Sequence, residues 1–159
     1  MESTLPISQT VVTTTSFTPK LVLVQEGVFP ITRDHQGNAL TEMPNTGWSH
    51  AGTIQGEGKL AGVPTLFIRL AACNLRCIWQ MADGSLCRCD TAYASFHTGK
   101  TISADIDNVM SIVGHNLNNI RHVVITGGEP MLQASALAEL CKQLKAKHNV
   151  HITLETNGT

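Results

Sequence analysis

The chain has 159 residues, 42% apolar and 14% charged, with a formal charge of -1. That composition is globular, and it excludes both a disordered chain and a broad basic surface for nucleic acid. No apolar run reaches membrane-spanning length, and the N-terminus lacks a basic stretch leading into an apolar core. A cytoplasmic protein with neither a membrane nor a nucleic-acid partner is expected.

Residues 1–19 are rich in Ser and Thr without pattern and are expected to form a mobile tail, within an N-terminal extension over residues 1–46. Leu21 to Val24 is a short apolar run suited to a strand, and turns are expected at residues 34–38 and 44–47. The organised core is expected over residues 47–159. Residues 65–70 alternate as a strand, with Leu66, Ile68 and Leu70 on one face and Phe67 and Arg69 on the other. Ser103 is expected to cap a helix with Asp105 in its first turn and a stripe of Ile106, Val109, Met110 and Val113. The run from His122 to Thr126 is nearly continuous in apolar residues, as in a strand buried on both faces, and Gly127-Gly128 ends it. Pro130 opens a second helix with Leu137, Leu140, Cys141 and Leu144 inward; residues 150–156 read as the next strand, closed by Asn157-Gly158.

Alternation of this kind builds a parallel sheet with right-handed crossovers and places chemistry at the C-terminal strand ends. Cys73, the run Gly127-Gly128-Glu129, and Asn157-Gly158 all fall at such ends, so one shared mouth is expected. The chain stops just past the last turn, and a fragment or naturally shortened protein is expected.

The chain has five cysteines, and four of them, Cys73, Cys77, Cys87 and Cys89, crowd one stretch. In a reducing compartment that cluster reads as a metal site. Spacing alone gives zinc and iron–sulfur similar standing, although the tight Cys87-Arg88-Cys89 pair strains a tetrahedral zinc site. The other candidates also have plain structural readings. Gly127 to Pro130 suits an ordinary strand-to-helix turn, Gln55 and Glu57 a solvated loop, and Thr91 a helix cap. Arg69 in mid-strand needs an anionic partner if buried, either an internal carboxylate or a bound one. The seven histidines show no ligand spacing, and Cys141 reads as core.

The run Cys73-Asn74-Leu75-Arg76-Cys77-Ile78-Trp79, continued at Cys89-Asp90-Thr91 after nine inserted residues, resembles the C-x3-C-x2-C signature of the radical S-adenosylmethionine (SAM) family. With Ile54-Gln55-Gly56-Glu57-Gly58, Phe67 to Leu70, Thr126 to Pro130 and Glu155 to Thr159, it is similar to the 7-carboxy-7-deazaguanine synthases of that family. The resemblance implies a partial (β/α) barrel of the radical SAM type whose C-terminal part is missing. It implies a 4Fe-4S cluster on Cys73, Cys77 and Cys89, with Cys87 a competing ligand, and SAM on the open iron. It further implies SAM contacts from Gly127, Gly128, Glu129, Thr156 and Asn157, and magnesium at Thr91. Substrate contacts would come from Ile54, Gln55, Gly56, Glu57 and Arg69. The implied reaction turns 6-carboxy-5,6,7,8-tetrahydropterin, a small pterin, into 7-carboxy-7-deazaguanine with loss of ammonia, for queuosine-type nucleosides. An external electron donor and a homodimer are implied as partners. The rival readings are another small radical SAM enzyme of the activase type, or a non-catalytic zinc or iron–sulfur binding fragment.

Overall fold

A computed structural model describes residues 19–42 and 51–158. Residues 1–18 of the tail expected over 1–19, the turn at 44–47 and the boundary at 46/47 lie outside the described residues. The strands are β1 (Lys20–Phe29), β2 (Thr53–Ile54), β3 (Pro64–Leu70), β4 (Ile78–Gln80), β5 (Leu86–Arg88), β6 (Thr101–Asp105), β7 (His122–Gly127) and β8 (His151–Leu154). The helices are α1 (Ala92–Ser95), α2 (Ile106–Asn116) and α3 (Ala134–His148).

The main sheet runs β6-β1-β3-β7-β8, with β2 added against β3. It is a mixed α/β sheet and is not closed. The strands β3, β7 and β8 are parallel, as the alternation of elements predicts. The strand β1 runs antiparallel to both β3 and β6, which the expectation of an all-parallel sheet missed. The described residues between β1 and β3 hold only β2 and a short 3-10 turn at Gly58–Leu60, and a parallel neighbour needs a longer crossover.

The helix expected from Ser103 begins at Ile106 instead. Residues 101–105 are drawn into an edge strand, in which Ser103 pairs with Val22 and Ala104 with Leu21, and Asp105 is the last extended residue before α2. Asp107 stays in the first turn, where its charge favours the helix dipole. Pro130 opens one 3-10 turn over Pro130–Gln133 before α3 starts, and Asn149 ends α3 in the left-handed conformation.

Both α2 and α3 pack on the face of the sheet that carries Leu66, Ile68 and Leu70 of β3 and Val123 and Ile125 of β7. Cys141 sits partly buried at the margin of this core, and burial pushes its thiol up. The alternation of the strands sends Thr65, Phe67 and Arg69 to the other face, with His122 and Thr126 beside them. The strand β7 is therefore buried from His122 to Thr126, with Val123 and Ile125 on the aliphatic face and Val124 between His122 and Thr126 on the other.

A polar layer crosses this second face at the start of the parallel strands. His122 Nδ1 lies 2.8 Å from Thr65 Oγ1, and its Nε2 lies 2.8 Å from Thr153 Oγ1. One imidazole thus ties β3, β7 and β8 together, with His151 tilted against it at 5.2 Å. Burial, and next the neighbouring His151, hold the His122 pKa below its usual value of 6.5. The unfolded chain therefore takes up this proton first as pH falls. The resulting stability is complete above about pH 6.5 and is lost on acidification through the lower folded value. Thermal melts from neutral pH to about pH 5 should show a steeper loss of Tm for the parent chain than for His122→Gln. Equal slopes would show that His122 is not the group responsible.

Candidate functional site

Two glycines bring the C-terminal end of β7 against that of β3 and the start of the cysteine loop. Gly127 pairs with Leu70 and has a φ of 142°. A Cβ built at Gly127 runs into the Leu70 backbone, and one at Gly128 runs into the Ala72 carbonyl. Only glycine lets the β7 end lie this close to the start of the cysteine loop. The contact is fastened by backbone bonds, Gly128 N to Leu70 O at 3.1 Å and Glu129 N to Ala72 O at 2.8 Å. Ala72 N in turn donates to Ala94 O at 2.8 Å, joining the loop to α1.

Glu129 is 0% exposed. Its Oε1 accepts from Met131 N at 2.8 Å and from the Thr156 hydroxyl at 2.7 Å, and its Oε2 accepts from Asn157 N at 2.7 Å. A buried carboxylate survives only with donors of this kind around it. Glu129 thereby caps the Pro130–Gln133 turn and pins the segment after β8. Asn157 carries the connection onward, with its Nδ2 3.0 Å from Asn74 Oδ1 and 3.8 Å from Cys73 Sγ.

The insertion between Cys77 and Cys89 folds as a two-stranded hairpin, β4 against β5, in which Ile78 faces Arg88 and Trp79 faces Cys87. The two cysteines flank its base, where Cys89 N donates to Cys77 O at 3.2 Å. Cys87 stands higher on the hairpin and is exposed. The Thr91 hydroxyl lies 3.4 Å from Cys89 Sγ, and the buried Ser95 hydroxyl 3.7 Å from it. The Thr91 hydrogen bond, with Ser95 assisting, draws the Cys89 thiol below its usual pKa, toward the thiolate that binds metal. Among the described residues no three His, Cys, Asp or Glu side chains form a preassembled ion site. Residues 71–77 have neither helix nor strand, so the sulfurs of Cys73 and Cys77 are carried on a loop. The donor chemistry, four thiols in one stretch with that of Cys89 acidified, fits an iron–sulfur cluster.

Two further side chains face this mouth differently. Arg69 Nε is buried and, among the described residues, makes no hydrogen bond. The internal carboxylate that would have neutralised it is not among the ion pairs of the described residues, which join Lys20 to Asp105 and Lys142 to Glu139. Gln55 is 4% exposed and fully engaged. Its Nε2 donates to Glu155 Oε1 at 2.9 Å, and its Oε1 accepts from Gly56 N at 2.8 Å. Ile54 and Glu57 are exposed on either side of it. Glu155, Ser95 and Tyr93 are neighbours of the site that the sequence reading missed. The alternation from Thr153 signals the side on which Glu155 lies, but nothing signals its pairing with a residue 100 positions earlier.

Residues 54–159 match the family described as a 4Fe-4S single cluster domain. The 7-carboxy-7-deazaguanine synthase of Rhodopirellula baltica is 41% identical over 105 residues, covering 66% of this chain and 35% of that protein. The synthase of Methanospirillum hungatei is 44% identical over 108 residues, covering 67% of this chain and 39% of that protein. The chain thus spans well under half the length of these two relatives. A crystal structure of QueE from Escherichia coli aligns with 83% of this chain and 54% of that one, at 27% identity and a TM-score of 0.49.

Replacing Glu129 by Gln keeps the shape and sets an amide N–H2 against at least one of the three donors. Urea unfolding of Glu129→Gln should show a loss of about 1–3 kcal/mol. Unaltered stability would mean that Glu129 does not brace the strand ends.

Proposed function

This chain belongs to the 4Fe-4S single cluster domain family, and from that premise we propose that it is a radical SAM enzyme acting on a carboxylated tetrahydropterin. In this reading Cys73, Cys77 and Cys89 hold the cluster. The observation that carries it is the Cys89 N to Cys77 O closure at the base of the hairpin. The insertion is looped out there, so Cys77 and Cys89 regain the nearness that an uninterrupted signature would give them. Cys87, opposite Trp79 on an exposed strand, is left without a ligand role. When bound, the cluster supplies the electron that cleaves SAM to a 5′-deoxyadenosyl radical.

The chain's own residues do the rest. Gly127 and Gly128, packed against Leu70 and Ala72, hold the strand ends against the cysteine loop, beside which the methionine end of SAM would lie. Glu129, fully buried and accepting from Met131, Thr156 and Asn157, serves SAM by holding these neighbours in place at the mouth. Thr156 and Asn157, held by Glu129, flank the methionine end. Arg69 presents a planar fork, buried in part and short of an acceptor, to which a substrate carboxylate would dock. Gln55, locked by Glu155, shapes the loop of Ile54, Gly56 and Glu57 along the substrate's rim. Magnesium at the Thr91 hydroxyl, an external one-electron donor and a homodimer complete the reading and are supported by the family resemblance. The product would be 7-carboxy-7-deazaguanine, formed with loss of ammonia, and the partial (β/α) barrel is the fold within which these groups converge.

The test is Arg69→Lys, which keeps the charge but not the fork. It should keep its cluster and cleave SAM, while kcat/KM for 6-carboxy-5,6,7,8-tetrahydropterin falls by the equivalent of roughly 2–5 kcal/mol. Normal turnover would remove Arg69 as the carboxylate clamp, and the substrate assignment with it.

A further inference from the structure

Arg69 is held by aromatic rings as well as by its strand. Its guanidinium carbon lies 5.4 Å from the centre of the Phe29 ring and 5.6 Å from that of Tyr93. Phe29 is itself fixed, since it pairs with Phe67 across β1 and β3 and stacks on that ring at 5.4 Å with 14° between the planes. A bulge between Leu23 and Val28, with Glu26 at a φ of 60°, sets this register. Tyr93 comes from elsewhere. It lies on α1, directly after Cys89-Asp90-Thr91, and is 51% exposed.

The face of an aromatic ring attracts a guanidinium electrostatically and leaves the in-plane N–H edge free for a carboxylate. Arg69 has its Nε buried without an acceptor, so its orientation is not set by hydrogen bonding at that atom. The rings supply what hydrogen bonds do not. We propose that Tyr93 is a positioning residue: with Phe29 it fixes the Arg69 guanidinium in the orientation that receives an anionic substrate, and so couples anion binding to the seating of the cysteine loop. The inference rests on the reading of Arg69 as the carboxylate clamp. Because Ala72 N bonds to Ala94 O, any shift of α1 moves the loop that leads to Cys73 together with Tyr93.

Three variants separate ring, bulk and hydroxyl: Tyr93→Phe, Tyr93→Leu and Tyr93→Ala. Affinity is measured on the cluster-loaded protein for 6-carboxy-5,6,7,8-tetrahydropterin and for its analogue without the carboxylate. The Leu and Ala variants should bind the carboxylated ligand roughly 2- to 30-fold more weakly and the analogue unchanged, while Phe behaves as the parent. Tyr93 is the chain's single tyrosine, so its ultraviolet resonance Raman bands report on this contact alone. They should shift in Arg69→Met without any ligand present. Parent-like discrimination in Tyr93→Leu, or unshifted bands in Arg69→Met, overturns the positioning role and leaves the clamp standing. A parent protein that binds both ligands equally overturns the clamp itself, and the positioning role falls with it.

Discussion

The buried carboxylate of Glu129 is the constraint on which the mouth depends. A charge with no exposure at all is tolerable only where donors surround it, and here the donors come from two separate chain segments. Met131 lies in the helical turn after β7, while Thr156 and Asn157 follow β8. Satisfying one side chain therefore fixes two strand ends relative to each other. The third end is brought in by Gly127 and Gly128, whose missing side chains let β7 lie against Leu70 and Ala72. Asn157 then reaches Asn74 and the Cys73 sulfur. The cysteine loop, which has no regular structure of its own, inherits its place from this chain of contacts.

The two faces of the sheet divide the labour. One is aliphatic and covered by α2 and α3, and its burial supplies most of the driving force for folding. The other carries His122 between two threonines at one level, and Arg69 with its aromatic neighbours nearer the mouth. Polar groups on a sheet face cost stability unless paired. His122 is paired and reads as structural, whereas Arg69 Nε is not, which supports its proposed role toward a ligand. The contrast between two polar residues on the same face is a physical reason for assigning one to the fold and the other to function.

Much of this was legible in the sequence where the signal is local. The alternation of Leu66, Ile68 and Leu70 against Phe67 and Arg69, the unbroken run into Gly127, and the helix stripe of Ile106, Val109, Met110 and Val113 reflect periodicities that a single segment contains. What escaped depends on partners far away. The strand β6 exists because β1 offers an edge to pair with, so Ser103 looked like a cap when read alone. The antiparallel course of β1 goes with the lack of a crossover helix among the described residues between β1 and β3. The inserted residues gave no hint of a hairpin beyond Asp83-Gly84, and it is the pairing of Ile78 with Arg88 that restores the closeness of Cys77 and Cys89. The bond between Gln55 and Glu155 has no sequence signature at all.

Cluster ligation by Cys73, Cys77 and Cys89, with one iron left open to SAM, is the proposal on which the rest turns. Mössbauer spectroscopy of iron-57-loaded protein tests both together, on the parent chain and on Cys87→Ala. A 4Fe-4S spectrum is expected in both proteins, with one iron site changing its parameters when SAM is added and the other three unmoved. Loss of the cluster in Cys87→Ala, or a spectrum that SAM leaves untouched, would contradict that proposal.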